Sequence, residues 1–388
     1  MRRELRFARL AVAVIAVALA ASSTVFGDPA ARASAQIRPA ISTSLTVPGG
    51  LNAVSATSPT DAWAVGSAGH RNKADTLLIV HWDGVSWKQV TVPHFPYGIL
   101  YAVTAVSKND VWAIGMNETR VPGYLEPPPA LVLHWNGTVW RPVSSLFDTN
   151  VFPLALSATA KEVWIATAAP GNVEFLHYVG GHWYFVPVGG QPANESDPDT
   201  LVMTGPKSGW LTFSAEPSGS HYYNAYFMRW DGTAWKHVPV KIHAGLSEID
   251  ATTGLPGGDV WAVGREQADP NNGNTTVPLS LRWDGKAWQQ VPVNIQGAYE
   301  FDGVARIPGG TAWAVGFFES SVSGALVARW TGTAWKLAPS PTADSAAFLN
   351  AVTATSANDA WAVGTIAEPP PTNAYVTVIL HWNGKAWS

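Results

Sequence analysis

All 20 tryptophans of this chain belong to three series that repeat about every 50 residues. The first series starts at Trp63, in Asp-Ala-Trp-Ala-Val-Gly, and recurs at intervals of 49, 52, 46, 51, 52 and 48 residues. The other two series follow in each repeat, as in His81-Trp-Asp-Gly-Val-Ser-Trp87, and Tyr178 replaces the one missing member. Because every tryptophan is a repeat position, these residues indicate a repeated architecture rather than scattered functional aromatics.

Each repeat reads as four short strands, which in the first repeat span 51–56, 62–65, 76–82 and 85–92. We expect Asp61 to hydrogen-bond the backbone of the first turn. Asp83-Gly84 is typical of a two-residue type I′ hairpin, which would make Trp82 and Trp87 diagonal neighbours on one face. The residues assigned a structural role are Trp63, Trp82, Trp87, Trp112, Trp135, Trp140, Asp61, Asp110, Asp259 and Asp359.

Large side chains on one face of each sheet and small ones on the other allow successive sheets to pack closely. The repeats therefore predict an all-β fold, a seven-bladed β-propeller of four-stranded antiparallel blades. We expect residues 42–48 to complete the last blade and close the ring, the alternative being a truncated chain. The predicted blades span approximately 51–93, 100–143, 152–188, 200–240, 248–293, 301–340 and 349–388 plus 42–48.

The N-terminus is typical of a secretory signal peptide, with four arginines ahead of an apolar run from Leu10 to Ala21. Residues 1–35 are the predicted signal peptide and residues 36–388 a single propeller domain. Removal of residues 1–35, which hold five arginines and two acids, changes the formal charge from −4 to −7. We therefore expect neither nucleic acid nor membrane as a partner after signal cleavage. We also expect the secreted protein to be a monomer.

The motifs Asp-x-Trp-Ala-Val-Gly and His-Trp-[Asp/Asn]-Gly-x-x-Trp resemble the repeats of secreted bacterial propellers that are common in actinobacteria. They are also similar to kelch repeats in their period and in the Trp that follows the turn. The resemblance covers about residues 42–388, but single glycines such as Gly66 stand where kelch repeats have a Gly-Gly pair. It implies the fold and says little about function.

The connections between second and third strands vary freely, whereas the turns on the opposite face are nearly constant, which is typical of a binding face on a rigid scaffold. We call the side with the variable connections the variable face. Drift of exposed loops is the alternative explanation. The candidate binding residues on this face are Arg120, Tyr124, Glu126, His221, Tyr222, Tyr223, Arg265, Phe317, Glu319 and Tyr375.

Catalytic and metal-binding roles find little support in the sequence. The residue before the second tryptophan is His81, His134, His177 or His381 in four repeats and arginine in three, and arginine cannot act as a ligand or base near neutral pH. We expect these residues to be structural, and we expect no cofactor. The stretch 194–199 could bind calcium through its carboxylates, but a solvated loop is the simpler interpretation.

Binding of an extracellular glycan or protein is the function that the sequence favours. The chain has no cysteine, which excludes a copper oxidase with a Cys-Tyr ligand, and no sialidase box is present. A propeller-scaffold hydrolase or lyase with its active site on the same face is the alternative, and a purely structural surface protein is a third possibility. The fold alone does not choose between them.

Overall fold

A computed structural model describes residues 45–69, 76–92, 95, 97–117, 130–143, 152–169, 172–189, 197–215, 223–242, 246–269, 272–307, 309–318, 324–342, 346–368 and 374–388. The predicted signal peptide lies outside these residues. The described part of the chain is built from strands, and it contains no helix that is long and apolar enough to cross a membrane.

The described strands form seven antiparallel sheets, one for each repeat, and each sheet follows chain order. The strands are β1 (Gly49–Ser58), β2 (Asp61–Ala68), β3 (Thr76–Trp82), β4 (Trp87–Gln89), β5 (Ile99–Ser107), β6 (Asp110–Met116), β7 (Ala130–Trp135), β8 (Trp140–Pro142), β9 (Phe152–Ala158), β10 (Glu162–Ala169), β11 (Asn172–Val179), β12 (His182–Pro187), β13 (Asp197–Gly205), β14 (Ser208–Ala215), β15 (Asn224–Trp230), β16 (Trp235–Val238), β17 (Ser247–Gly254), β18 (Val260–Asp269), β19 (Asn272–Trp283), β20 (Trp288–Gln290), β21 (Ala298–Ile307), β22 (Thr311–Phe318), β23 (Ala325–Trp330), β24 (Trp335–Leu337), β25 (Ala347–Ser356), β26 (Asp359–Ala367) and β27 (Tyr375–Trp382).

The first strand of each sheet contacts the first strands of both neighbouring sheets, and β25 of the last sheet contacts β1 of the first. The seven first strands therefore surround a central channel, and the third and fourth strands lie towards the rim. This arrangement is the seven-bladed β-propeller that the repeats predict, with blade one formed by β1–β4 and blade seven by β25–β27.

The tryptophans occupy the junctions between blades. The ring centroid of Trp63 lies 5.1 Å from that of Trp135 and 5.4 Å from that of Trp140, both on the next blade. The same trio recurs at every junction, with Tyr178 replacing one tryptophan between blades two and three. Trp361 with Trp82 and Trp87 completes the circle between blades seven and one. Buried aromatic rings thus supply much of the contact that holds adjacent blades together.

Opposite faces of each sheet differ in side-chain size, as the sequence predicts. Trp63 and Val65 project from one face of blade one into a cluster with blade two, whereas Ala62 and Ala64 project from the other face towards Trp361 of blade seven. Large groups on one blade therefore meet small groups on the next, which allows dense packing.

Each first strand contains a β-bulge, that is, one extra residue, at the same position. The bulge residues are Asn52, Tyr101, Leu154, Asp199, Asp250, Asp302 and Asn350. Gly66, the last residue of Trp-Ala-Val-Gly, lies against this bulge, and a Cβ atom there would overlap the carbonyl oxygen of Gly50. The same overlap arises at Gly115, Gly264, Gly316 and Gly364, which explains the glycine of the motif.

The hairpin between the third and fourth strands differs from the prediction. Trp82 pairs directly with Trp87, so four residues rather than two connect the strands. Asp83 accepts hydrogen bonds from the amides of Val85 and Ser86, at 3.0 and 2.9 Å, and this side-chain turn competes with the type I′ geometry. The fourth strand is also short, because β4 covers only Trp87–Gln89. A two-residue hairpin with positive φ at both positions occurs in blade three, at Gly180-Gly181.

Two short segments occupy the outer edge of blade seven. The amide of Val47 donates to Thr377 Oγ1 at 3.1 Å, and the amide of Thr377 donates to the Val47 carbonyl oxygen at 3.0 Å. Towards the other end of β27, His381 and Ser388 exchange backbone hydrogen bonds of 2.9 and 3.0 Å. The N-terminal segment therefore closes the ring on blade seven, as predicted.

Candidate functional site

The polar residues on the face opposite the variable face bond to one another. His81 Nε2 lies 2.8 Å from Asp61 Oδ1, and the imidazole stacks on Trp63 with 4.0 Å between ring centroids. Asp61 also accepts a hydrogen bond from Thr57 Oγ1, so its partners are side chains and not the backbone that the sequence suggested. Burial alone would raise the pKa of Asp61, but the hydrogen bonds from His81 and Thr57 outweigh it and leave the pKa lowered.

The same acid-base pair recurs around the ring, with distances of 2.9 Å for His134–Asp110, 3.3 Å for His177–Glu162 and 2.8 Å for His381–Asp359. In blade five Arg282 Nε replaces the imidazole, 2.7 Å from Asp259 Oδ2, and Arg306 Nε of blade six lies 2.5 Å from Oδ1 of the same carboxylate. The His–Asp and His–Glu pairs therefore join strands within one blade, and the Arg306–Asp259 contact joins blades five and six.

The bulge residues form a ring near the mouth of the channel on the variable face. Asn52 Nδ2 donates to the Leu100 carbonyl oxygen of the next blade at 2.8 Å, and Asn350 Nδ2 donates to that of Leu51 at 2.8 Å. On one side of the ring Tyr101 and Leu154 pack into an apolar cluster. On the other side the bulge residues are three aspartates, so the mouth has an apolar side and an acidic side.

Blades five and six place an ion cluster at the acidic side. Arg265 Nη2 lies 2.7 Å from Glu248 Oε2, and Arg265 Nη1 lies 3.2 Å from Glu300 Oε2 of the next blade. The Glu248 side chain is only 3% exposed. Burial opposes the charged form of Arg265, but the attraction of these carboxylates outweighs it and raises the guanidinium pKa. The cluster therefore joins two blades through charges at the channel mouth.

Asp302 lies beside this cluster, and its pKa is raised. Burial raises its pKa well above the ordinary value near 3.8, and the negative charges of Glu300 and Asp250 raise it further. Asp302 is half-buried. A carboxyl group whose pKa is raised beside a second carboxyl group is an arrangement found in acid-base pairs.

Aromatic rings lie next to these charges. Phe317 of β22 stacks on Tyr299 of β21 with 5.2 Å between ring centroids, and its ring meets that of Phe348 of blade seven edge-on at 5.3 Å. Phe317 and Tyr299 are half-buried, so part of each ring faces outward. Among the described residues no group of three or more His, Asp or Glu side chains has an arrangement suited to a metal ion.

The structure describes four of the ten candidate binding residues, and six lie outside the described residues: Arg120, Tyr124, Glu126, His221, Tyr222 and Glu319. Arg265 lies in strand β18 rather than in a loop, and it is bonded to Glu248 and Glu300. The backbone amide of Ser247 donates a hydrogen bond of 2.8 Å to the carbonyl oxygen of Tyr223. Tyr375 is the first residue of β27. Of the four, Arg265 and Phe317 belong to the channel mouth.

Sequence reasoning missed Tyr299, Glu248, Asp250, Glu300 and Asp302, which lie on first strands and not in loops. One signal was available: in a repeat alignment, Asp250 and Asp302 fall at the position of Asn52. We call Glu248, Asp250, Arg265, Tyr299, Glu300, Asp302 and Phe317 together the mouth cluster.

Comparison with solved structures supports the fold. The chain is similar to the structure described as YCF48 bound to D1 peptide, with a TM-score of 0.50, 14% identity, and coverage of 78% of this chain and 83% of that chain. It is similar to the β-propeller domain of the Trilobed protease from Pyrococcus furiosus, with a TM-score of 0.54, 10% identity and coverage of 88% and 97%. It is also similar to a polysaccharide lyase, a PL25 ulvan lyase, with a TM-score of 0.54, 9% identity and coverage of 88% and 96%.

At these identities the similarities concern the fold alone. No family model matches the chain, and no curated protein matches its sequence.

Proposed function

We propose that the protein is a secreted binding propeller that recognises an extracellular glycan or protein through its variable face. The observation that carries this proposal is the difference between the two faces. Polar groups opposite the variable face satisfy one another, as in the His81–Asp61 pair. The variable face has a channel mouth where charged groups and half-buried aromatic rings lie together.

The chemistry of the mouth cluster suits a polar ligand with flat or aliphatic surfaces. The rings of Tyr299 and Phe317 offer apolar area, and the exposed carboxylate of Asp250 is a hydrogen-bond acceptor. Sugars and peptides both combine apolar patches with hydrogen-bond donors, which is why both ligand classes belong to the proposal. Secretion rests on the N-terminal sequence, and a released monomer is the simplest form of the proposal.

The similar propellers illustrate both ligand classes. YCF48 was solved with a bound peptide, and the ulvan lyase with a bound saccharide. Propellers of this general shape can therefore present either kind of site, and the side chains at the mouth decide which one is used.

The proposal is tested by screening residues 36–388 against a polysaccharide array and by capture of proteins from culture supernatant. Phe317→Ala removes a described ring of the mouth, and Tyr124→Ala removes a ring that the sequence alone assigns to the same face. Val85→Ser serves as the control, because Val85 lies in a turn on the opposite face and is 84% exposed. Binding that is lost in a variable-face variant and kept in the control supports the proposal. A folded protein that binds nothing in either assay, or loses binding equally in Val85→Ser, contradicts it.

A hydrolase or lyase is the second candidate, and one observation favours it. Asp302 has a raised pKa beside Glu300, and a neutral carboxylic acid next to a carboxylate can supply a proton to a leaving group. Cleavage of a polysaccharide by the intact protein, abolished in Glu300→Gln, would favour this candidate. Binding to the same polysaccharide without cleavage would exclude it for that substrate.

A further inference from the structure

The bulge residues of two blades donate hydrogen bonds to the backbone of the next blade. In blades one and seven the bulge residue is asparagine, and its amide donates to the carbonyl oxygen of the residue before the bulge in the next blade. These acceptors are Leu100 and Leu51, each of which pairs with the glycine of Trp-Ala-Val-Gly. The position therefore holds a hydrogen-bond donor that faces a backbone oxygen of its neighbour.

Asp302 occupies this bulge position in blade six. The equivalent residue of blade seven is Leu349, which pairs with Gly364 in the same register as Leu51 with Gly66. The side chain that is hydrogen-bonded to Asp302 is the Glu300 carboxylate, two residues earlier on the same strand. Carboxylate and carbonyl oxygens only accept hydrogen bonds, so an ionised Asp302 would meet acceptors where the asparagines meet partners.

The described charges around Asp302 reinforce this conclusion. β21 contributes Glu300 and Tyr299, β17 contributes Glu248 and Asp250, and β18 contributes Arg265. The neighbouring strand β25 carries no titratable side chain. Arg265 is the one cation of the group, and it already pairs with both Glu248 and Glu300. Ionisation of Asp302 would place four carboxylates around a single guanidinium.

We propose that Asp302 acts as a proton-dependent latch that holds blades five and six together at the channel mouth. Its O–H donates to Glu300, and Glu300 is in turn held by Arg265 of blade five. Loss of the proton breaks the Asp302–Glu300 hydrogen bond and adds repulsion from Glu300 and Asp250. The ring then loosens on the variable face while the tryptophan junctions stay packed.

The sign of the effect follows from proton linkage. The folded protein holds the Asp302 proton more tightly than the unfolded chain, so the stabilisation is complete below the ordinary pKa of aspartate and is lost as the pH rises through the folded value. Asparagine carries amide hydrogens at every pH. Asp302→Asn should therefore match the wild type under acidic conditions and surpass it at neutral and alkaline pH.

The test compares thermal unfolding of the full chain and of Asp302→Asn from about pH 4 to about pH 8. The melting temperature of the variant should exceed that of the wild type by a difference that grows with pH to several degrees. Asp199→Asn is the matched control, since Asp199 fills the bulge position of blade four and is not among the charged groups that act on Asp302. This control should keep the pH-dependent loss that Asp302→Asn removes.

A second measurement needs no variant. Infrared difference spectroscopy of the wild type should detect the C=O stretch of a protonated carboxyl above about pH 5, where ordinary aspartates are ionised. Asp302→Asn should abolish that signal, and Asp199→Asn should retain it. A difference in melting temperature that does not change with pH, or no protonated carboxyl above about pH 5, would overturn the proposal. Neither readout involves a ligand, so the outcome is independent of the proposed binding function.

Discussion

Asn350 Nδ2 donates a 2.8 Å hydrogen bond to the backbone oxygen of Leu51, a residue 299 positions away in sequence. This bond joins the first strand of blade seven to that of blade one. It closes the ring at the channel, whereas the pairing of Val47 with Thr377 closes it at the rim. The two ends of the repeat array are therefore joined both beside the central channel and at the outer edge of the ring.

Replacing Asn350 with alanine should lower the free energy of unfolding by about 1 kcal/mol, because a part-buried hydrogen bond is lost and the Leu51 carbonyl is left without this donor. Urea denaturation followed by circular dichroism measures the change. Asn52→Ala removes the equivalent bond within the chain, between blades one and two, and is the matched control. An unchanged unfolding midpoint in Asn350→Ala would show that the bond does not contribute to closure.

Trp261→Ala should be among the most damaging single changes, with a loss of about 3–5 kcal/mol in unfolding free energy. The Trp261 side chain is fully buried, and it lies 5.2 and 5.3 Å from Trp330 and Trp335 of the next blade. Chemical denaturation measures the loss. Val85→Ala is the comparison, because Val85 is 84% exposed and should change stability by no more than about 0.5 kcal/mol.

Gly364→Ala should destabilise the protein by about 1–3 kcal/mol, since the added methyl group overlaps the Phe348 carbonyl oxygen and the backbone must move. Gly205→Ala provides the control, because no atom lies near the position of its Cβ and its φ is not positive. Thermal unfolding of the two variants separates steric overlap from the general effect of adding a methyl group. Equal losses in both would refute the close approach at the bulge.

The Asp359–His381 pair should make part of the free energy of unfolding depend on pH. Burial acts to raise the pKa of Asp359, but the hydrogen bonds from His381 and Thr355 outweigh it, and the pKa is lowered. The stabilisation is therefore present above the ordinary aspartate pKa and is lost as the pH falls through the folded value. Asp359→Asn should cost about 1–3 kcal/mol at pH 7 and less at about pH 3. A cost that stays constant between these two pH values would contradict this account.

The sequence predicts the fold well because its signal is repeated seven times. The spacing of the tryptophans and the alternation of Trp63 and Val65 with Ala62 and Ala64 both follow from how blades pack. The hairpin register was missed for a local reason: Asp83 bonds two amides of its own turn, which stabilises a four-residue connection that the Asp-Gly dipeptide does not reveal.

The mouth cluster was only partly accessible to sequence reasoning. Phe317 stands out because it lies outside the tryptophan series. The sequence predicts loops at both Phe317 and Arg265, whereas the two residues lie in strands β22 and β18. Asp250 and Asp302 are 52 residues apart and look like ordinary polar residues of strands. A repeat alignment places them at equivalent positions, but their proximity becomes visible only when the ring brings blades five and six together.

The trios of aromatic rings at the blade junctions also give the protein built-in optical probes. Indole rings whose centroids lie 5–6 Å apart are close enough for their electronic transitions to couple. Excitation energy absorbed at one ring passes to its neighbours before it is emitted, which depolarises the fluorescence, and the coupled transitions add bands to the circular dichroism spectrum. Parting of a single junction changes both signals, so a loosening of the ring can be followed without attaching any dye.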